Sequence, residues 1–189
     1  MANDTLYNEH VSDALLAQYA DLIYRVAGIR ISAQKKILLS NRLRRRLRAT
    51  GIANFGEYYR HLKKLRDCDA EWDAFLDEIT THETYLFRDE KHWEWLRKEF
   101  LPEAASQSRS GKRPRNLRFW SAACSTGDEA FSIASCLADG LMNHAEWSIA
   151  IVGTDIGTGV VEQARQGVFN ERAMRLVPES MRRRFFVKQ

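Results

Sequence analysis

Through residues 10–80 apolar side chains recur at spacings of three and four, the period of helices that each bury one face. Leu15, Leu16, Tyr19, Leu22, Ile23 and Val26 form the first stripe, which ends at Gly28. Ser32 is placed to cap a second helix that carries Leu39, Leu43 and Leu47 at successive fours and stops at Thr50-Gly51. Asn54 caps a third, with Phe55, Tyr58, Tyr59 and Leu62, and a fourth carries Trp72, Phe75, Leu76 and Ile79. The front of the chain is therefore predicted to be all helical.

Further on the pattern changes. After TTHETYLFRDEKHWEWLRKEFLPE comes ASQSRSGKRPRN, whose Ser, Gly, Pro and basic residues read as an exposed loop. Leu117 to Ala122 and Trp147 to Thr154 read as short buried strands, and Glu129 to Leu141 and Thr158 to Gln166 as helices. Strand, helix, strand, helix at this spacing predicts a parallel sheet with right-handed crossovers, an α/β arrangement of Rossmann-like type. The expected organisation is an all-helical domain over 1–80, a connecting segment and linker over 81–115, and an α/β domain over 116–189.

Composition narrows the class. With 44% apolar residues in 189, the chain can bury a real core. No run approaches the roughly 20 apolar residues of a membrane span, and the polar, acidic start lacks the shape of a signal peptide, so the expectation is a cytoplasmic protein without membrane insertion. Cys68, Cys124 and Cys136 are odd in number and lack paired CxxC spacing, which argues for reduced thiols and against a disulfide framework or a metal site. The net charge of +4 is small but uneven: Lys and Arg crowd residues 30–66, and acids, including Asp67, Asp69, Glu71, Asp73, Asp77 and Glu78, crowd 67–90.

The candidate chemistry lies in RFWSAACSTGDEAFSIA, residues 118–134. A turn after a parallel strand sits at the carboxyl edge of the sheet, where the next helix points its free N–H groups. Gly127 permits unusual backbone angles, and Ala122, Ala123, Ser125 and Thr126 add little bulk, so a ligand can approach the backbone there. Asp128 and Glu129 suit the first helical turn as caps, and they repel phosphate. GxGxxG and GxxxxGK words are missing, which further disfavours a phosphate cradle and a nicotinamide dehydrogenase. Asp155, just past the second strand, is placed either to accept hydrogen bonds from both hydroxyls of a ribose or simply to cap a helix. Arg88, in the polar TTHETYLFRDE segment, is suited to pair bidentately with a carboxylate, such as that of an amino-acid-like ligand. Its alternative is a capped interdomain connection.

Together these words resemble the chemotaxis receptor methyltransferases of the CheR type. TTHETYLFRDE is close to the family's TTNETxFFRD, FWSAACSTGDEAFSIA to WSAACSTGEEPYSIA, and GTDIGTGVVEQARQGVF to ATDIDxxVLxxARxGxY, in the same order and spacing. The resemblance implies a class I methyltransferase domain that binds S-adenosylmethionine, releases S-adenosylhomocysteine, and methylates glutamate side chains of chemoreceptors. It also implies that His82, Thr84, Arg88, Glu129 and Asp155 contact the cofactor, with Arg88 and Glu129 at its amino-acid end and Asp155 at the ribose. His82 stands where the family usually has Asn, Ala130 where it has Pro, and Gly157 where it has a polar or acidic residue. A glutamate carboxylate, with a pKa near ~4.3, is already anionic at neutral pH, so no proton-transfer residue is assigned.

Arg42, Arg44, Arg45, Arg46 and Arg48 surround the Leu39, Leu43, Leu47 stripe. A solvated face is the ordinary reading; nucleic acid is disfavoured by the modest charge and the lack of interleaved aromatics. The resemblance implies docking of acidic receptor methylation helices instead, with Arg45 and Arg46 as the contacts. The family's catalytic domain continues past the position of Gln189 with an RNxxxYF word, which does not occur here. The expectation is thus a truncated Rossmann-like domain, either a methyltransferase when completed or a catalytically silent receptor- or cofactor-binding module. Its incomplete sheet would be prone to self-association.

Overall fold

The computed structural model describes residues 10–66 and 69–188, and its chain divides into two compact units, Met1–Thr81 and His82–Gln189. Asp67 and Cys68 lie outside the described residues. In the first unit α1 spans Asp13–Ala27, α2 Lys36–Thr50, α3 Phe55–Leu62 and α4 Ala70–Ile79. The predicted stops are the observed ones: Gly28 and Gly51 close α1 and α2 with left-handed backbones, and the Asn54 side chain accepts the Glu57 N–H at the start of α3. Two details differ. Ser32 opens a short 3-10 turn, Ala33–Lys35, without a side-chain cap, so the turn and not a capping hydroxyl leads into α2. Val26 is 45% exposed, because the core-facing stripe of α1 is Leu16, Tyr19 and Ile23.

The core of this unit joins those residues to Leu39, Leu43, Leu47, Phe55, Tyr58, Leu62, Phe75 and Ile79. Two hydroxyls bond across it. The Tyr19 hydroxyl donates to the Phe55 carbonyl at 2.7 Å, and the Ser40 hydroxyl accepts the Val11 N–H at 3.1 Å. Burial pushes the Tyr19 phenol well above its usual range.

In the second unit α5, Glu90–Trp95, runs through one wide π turn at Leu96–Phe100 into α6, Leu101–Arg109. Strand β1 (Asn116–Ala122) and strand β2 (Ser148–Thr154) pair in parallel from Asn116 opposite Ser148 to Ala122 opposite Thr154. Between them lies α7, Asp128–Gly140; after them come α8, Thr158–Gln166, the single turn α9, Glu171–Met174, and α10, Glu179–Phe185. This is the strand–helix–strand–helix order of a Rossmann-like domain.

Two expectations are corrected here. The stretch 81–115 is not a linker: Leu86, Phe87, Trp93, Leu96, Leu101 and Ala104 all belong to the second unit's core, and the supposed loop is helical as far as Arg109. Its Ser, Gln and Arg residues are the solvent side of α6. Nor are the strands buried on both faces. Leu117 and Ser121 of β1 are buried, but Trp120 is 72% and Val152 56% exposed, and no β2 residue is fully buried. No helix among the described residues is long and apolar enough to cross a membrane.

Candidate functional site

At the carboxyl ends of β1 and β2 the backbone folds into a tight turn, residues 123–127. Ala123, Ser125 and Gly127 all have positive φ, at 63°, 49° and 89°. Such angles are uncommon in non-glycine residues and persist only where the surroundings impose them. The imposing contacts are visible. The Cys124 N–H donates to the Thr154 carbonyl at 2.9 Å, and the Ser125 N–H donates to Asp155 Oδ2 at 2.8 Å. Asp155 Oδ1 accepts the Gly157 N–H at 2.9 Å, so one half-buried carboxylate fastens both strand-end loops.

Gly127 takes the expected unusual backbone angle and has a packing role besides. A Cβ there would sit 3.0 Å from the Ala164 Cβ, so its missing side chain serves the packing of the turn against α8 as well as the φ of 89°. Gly153, which the sequence reading passed over, is small for a similar reason: a Cβ would lie 3.0 Å from the Cys124 Sγ. Cys124 and Cys136 are buried free thiols. Burial, followed by the nearby Asp155 carboxylate, raises the Cys124 pKa, and burial pushes Cys136 up to about 11.

The acid pair divides its roles. Asp128 is 1% exposed and accepts the Thr126 hydroxyl on Oδ2. Glu129 is exposed, and its Oε1 accepts the hydroxyl of the buried Ser121 at 2.7 Å. Neither makes a side-chain cap at the start of α7.

Segment 82–89 is strapped down at three places, one each on the turn, α7 and α9. The His82 carbonyl accepts the Ser125 hydroxyl at 3.4 Å, the Phe87 N–H donates to Ser132 Oγ at 2.9 Å, and the Leu86 N–H donates to the Ala173 carbonyl at 3.1 Å. Thr84 lies half-buried along the strap. Arg88 is exposed, with Nη1 donating to the Glu83 carbonyl at 3.0 Å and its guanidinium carbon 5.9 Å from the centre of the Tyr85 ring. Tyr85 also carries the Arg175 guanidinium, 3.5 Å from its ring centroid. Hydrogen bonds thus tie the backbone of His82 to the turn that Asp155 fastens, and the strap bearing Thr84 and Arg88 to α7, whose first turn bears Glu129. Among the described residues no group of three or more His, Cys, Asp or Glu side chains gathers as metal ligands would.

In the helical unit Arg45 and Arg46 differ sharply. Arg45 pairs with Glu78 and keeps 57% of its side chain exposed. Arg46 is 18% exposed and forks onto Glu71, with Nε at 3.1 Å from Oε1 and Nη2 at 2.6 Å from Oε2. The Tyr58 hydroxyl donates to the same Glu71 Oε1 at 2.6 Å. The hydrogen bonds of Arg46 itself to Glu71 raise the Arg46 pKa above its ordinary value. Arg46 is therefore committed to holding α2 to α4, a role its surface-like sequence context concealed.

Residues 14–80 match the family model described as the CheR methyltransferase all-alpha domain, and residues 82–189 match that of the CheR methyltransferase SAM binding domain. The chain is 38% identical over 178 residues to a chemotaxis protein methyltransferase of Klebsiella aerogenes, covering 94% of this chain and 57% of the relative. Against that of Escherichia coli it is 38% identical over 176 residues, covering 93% and 57%. Against that of Borreliella burgdorferi it is 32% identical over 165 residues, covering 87% and 58%. The chain thus spans a little under three-fifths of the length of these relatives. On two matching domains in order and this level of identity, it belongs to the CheR methyltransferase family.

Proposed function

We propose that the second unit holds S-adenosylmethionine at the carboxyl ends of β1 and β2 and takes part in transferring its methyl group to glutamate side chains of chemoreceptors. The observation that carries this reading is Asp155, a half-buried carboxylate at a strand end whose two oxygens each accept one backbone N–H. Each oxygen keeps a further lone pair for a ribose hydroxyl. Glu129, an exposed acid, suits the ammonium of an amino-acid end, and Arg88 suits its carboxylate. His82 and Thr84 lie on the strap that borders the turn. The acid pair and the lack of a glycine-rich cradle fit a nucleoside ligand that carries no phosphate.

When bound, the cofactor supplies a sulfonium methyl group as electrophile. The chain's own residues would hold the nucleoside and amino-acid ends, and the bonds to Ser125 and Ser132 fasten the strap that bears His82, Thr84 and Arg88. The receptor glutamate is ionised at neutral pH, so alignment and partial desolvation, not proton transfer, are what the site provides. In the helical unit Arg45 offers the charged contact for an acidic methylation helix, and Arg46 supports it by holding α2 in place. Arg45→Glu should weaken binding of a receptor methylation-helix peptide, and the loss should shrink at high salt.

A second reading is favoured by the open sheet, with Trp120 and Val152 in solvent: the unit binds cofactor or receptor without turnover, or pairs with another copy. Titrating the 189-residue chain with S-adenosylhomocysteine, beside methyl incorporation into a receptor peptide, separates the two. Transfer supports the enzyme reading; binding without transfer, with a dimer by light scattering, supports the second.

A further inference from the structure

Ser121 is the penultimate residue of β1 and is 0% exposed, on the same strand face as Leu117 and Phe119. A hydroxyl at such a site is costly unless it is bonded. Its partner is the carboxylate of Glu129, eight residues later on the first turn of α7, at 2.7 Å. Glu129 is itself exposed, and a glutamate on a helix surface ordinarily samples many rotamers. Here one oxygen is held from inside the fold by the hydroxyl of a buried residue, on a strand whose pairing sets Ser121 opposite Gly153. That bond engages only one of the two oxygens of an exposed residue.

We infer that Ser121 is a positioning residue for cofactor binding: it holds Glu129 Oε1 so that Oε2 is presented, in one orientation, to the ammonium of the amino-acid end. The inference rests on the proposed role of Glu129 and adds to it the buried group that makes that carboxylate pre-organised. Binding to a pre-set acceptor avoids the ordering cost that a free side chain would pay.

The test is calorimetric titration of the whole 189-residue chain and its variants with two ligands. S-adenosylhomocysteine carries the amino-acid end; 5′-methylthioadenosine keeps the nucleoside and thioether and lacks that end. Ser121→Ala should weaken S-adenosylhomocysteine about tenfold, the loss of one charge-assisted hydrogen bond, and change 5′-methylthioadenosine by less than about twofold. In a Glu129→Gln background the same change should have no further effect beyond about twofold. Equal weakening of both ligands would mean that Ser121 only stiffens β1, and the inference falls; so it does if neither ligand responds, or if the two substitutions act additively. If Glu129→Gln leaves S-adenosylhomocysteine affinity unchanged, the underlying reading of Glu129 fails, and this inference with it.

Discussion

In the helical unit charged side chains close on one another: Arg46 forks onto Glu71, Tyr58 adds a third bond, and both charged groups are less than a fifth exposed. In the sheet-bearing unit the carboxylates at the strand ends close on backbone N–H groups and on a serine, and Glu129 still faces solvent. The contrast extends to the apolar surface. Phe75 and Tyr58 of the first unit are 0% exposed, whereas Trp120 and Val152 of the second stand in solvent. Internal pairing joins opposite charges in the first unit, while the acids at the strand ends are held by neutral donors. A residue's chemical type is the same in both; what differs is whether its partners have used it up.

Removing Phe75 should expose that difference most. Phe75→Ala takes a fully buried ring from the helical core and should cost about 4 kcal/mol in denaturant unfolding, while Trp120→Ser should change stability by less than about 0.5 kcal/mol. Equal losses would mean that the sheet face is covered in solution. Glu71→Ala should cost about 3 kcal/mol, because it strands the Arg46 guanidinium and the Tyr58 hydroxyl together. A loss under about 1 kcal/mol, as for an exposed pair, would show that the network is hydrated.

Gly127→Ala should cost about 2 kcal/mol, since a Cβ at φ 89° is strained and would also meet Ala164. Adding Ala164→Gly should return only part of it, the contact and not the strain. The smallest effect concerns alkaline pH. The Cys136 thiol rises from 9.0 to about 11 on folding, so its contribution is complete below pH 9 and is lost as pH rises towards 11. Cys136→Ala should therefore flatten the fall of melting temperature between pH 9 and 11; an unchanged slope would place its origin elsewhere, the buried tyrosines included.

The helix ends marked by Gly28, Gly51 and Asn54 could be read directly, because a left-handed stop and an Asn cap are local chemistry. The end of α6 could not. Its last turns are polar because only Leu101 and Ala104 of that helix are buried, and a polar helix face has the same composition as a loop. For the strands, an apolar run such as LRFWSA does not say whether one face or both will be covered, and here Trp120 is left outside. At the strand ends, the place of Asp155 just past β2 could be read from the sequence, because the apolar run before it marks the strand. Ser121 could not: a serine before a turn looks like any other small residue, and only its depth and its 2.7 Å bond to Glu129 distinguish it. The pairing of Arg46 was hidden as well, since its partner Glu71 lies 25 residues away, beyond local pattern.

The wide turn at Leu96–Phe100 has a geometric consequence. Trp93 and Leu96 are buried three apart, but the next buried residue is Leu101, five further on, and then Ala104. A regular helix would bring a residue four further on to that face, and a step of five would swing it off by about 100° of rotation. The π turn absorbs the extra residue. One rod thus carries two apolar stripes out of phase in the sequence and in phase in space, and deleting a single residue from Arg97–Phe100 would remove the need for the wide turn, leaving Leu101 and Ala104 on the core face of a regular helix.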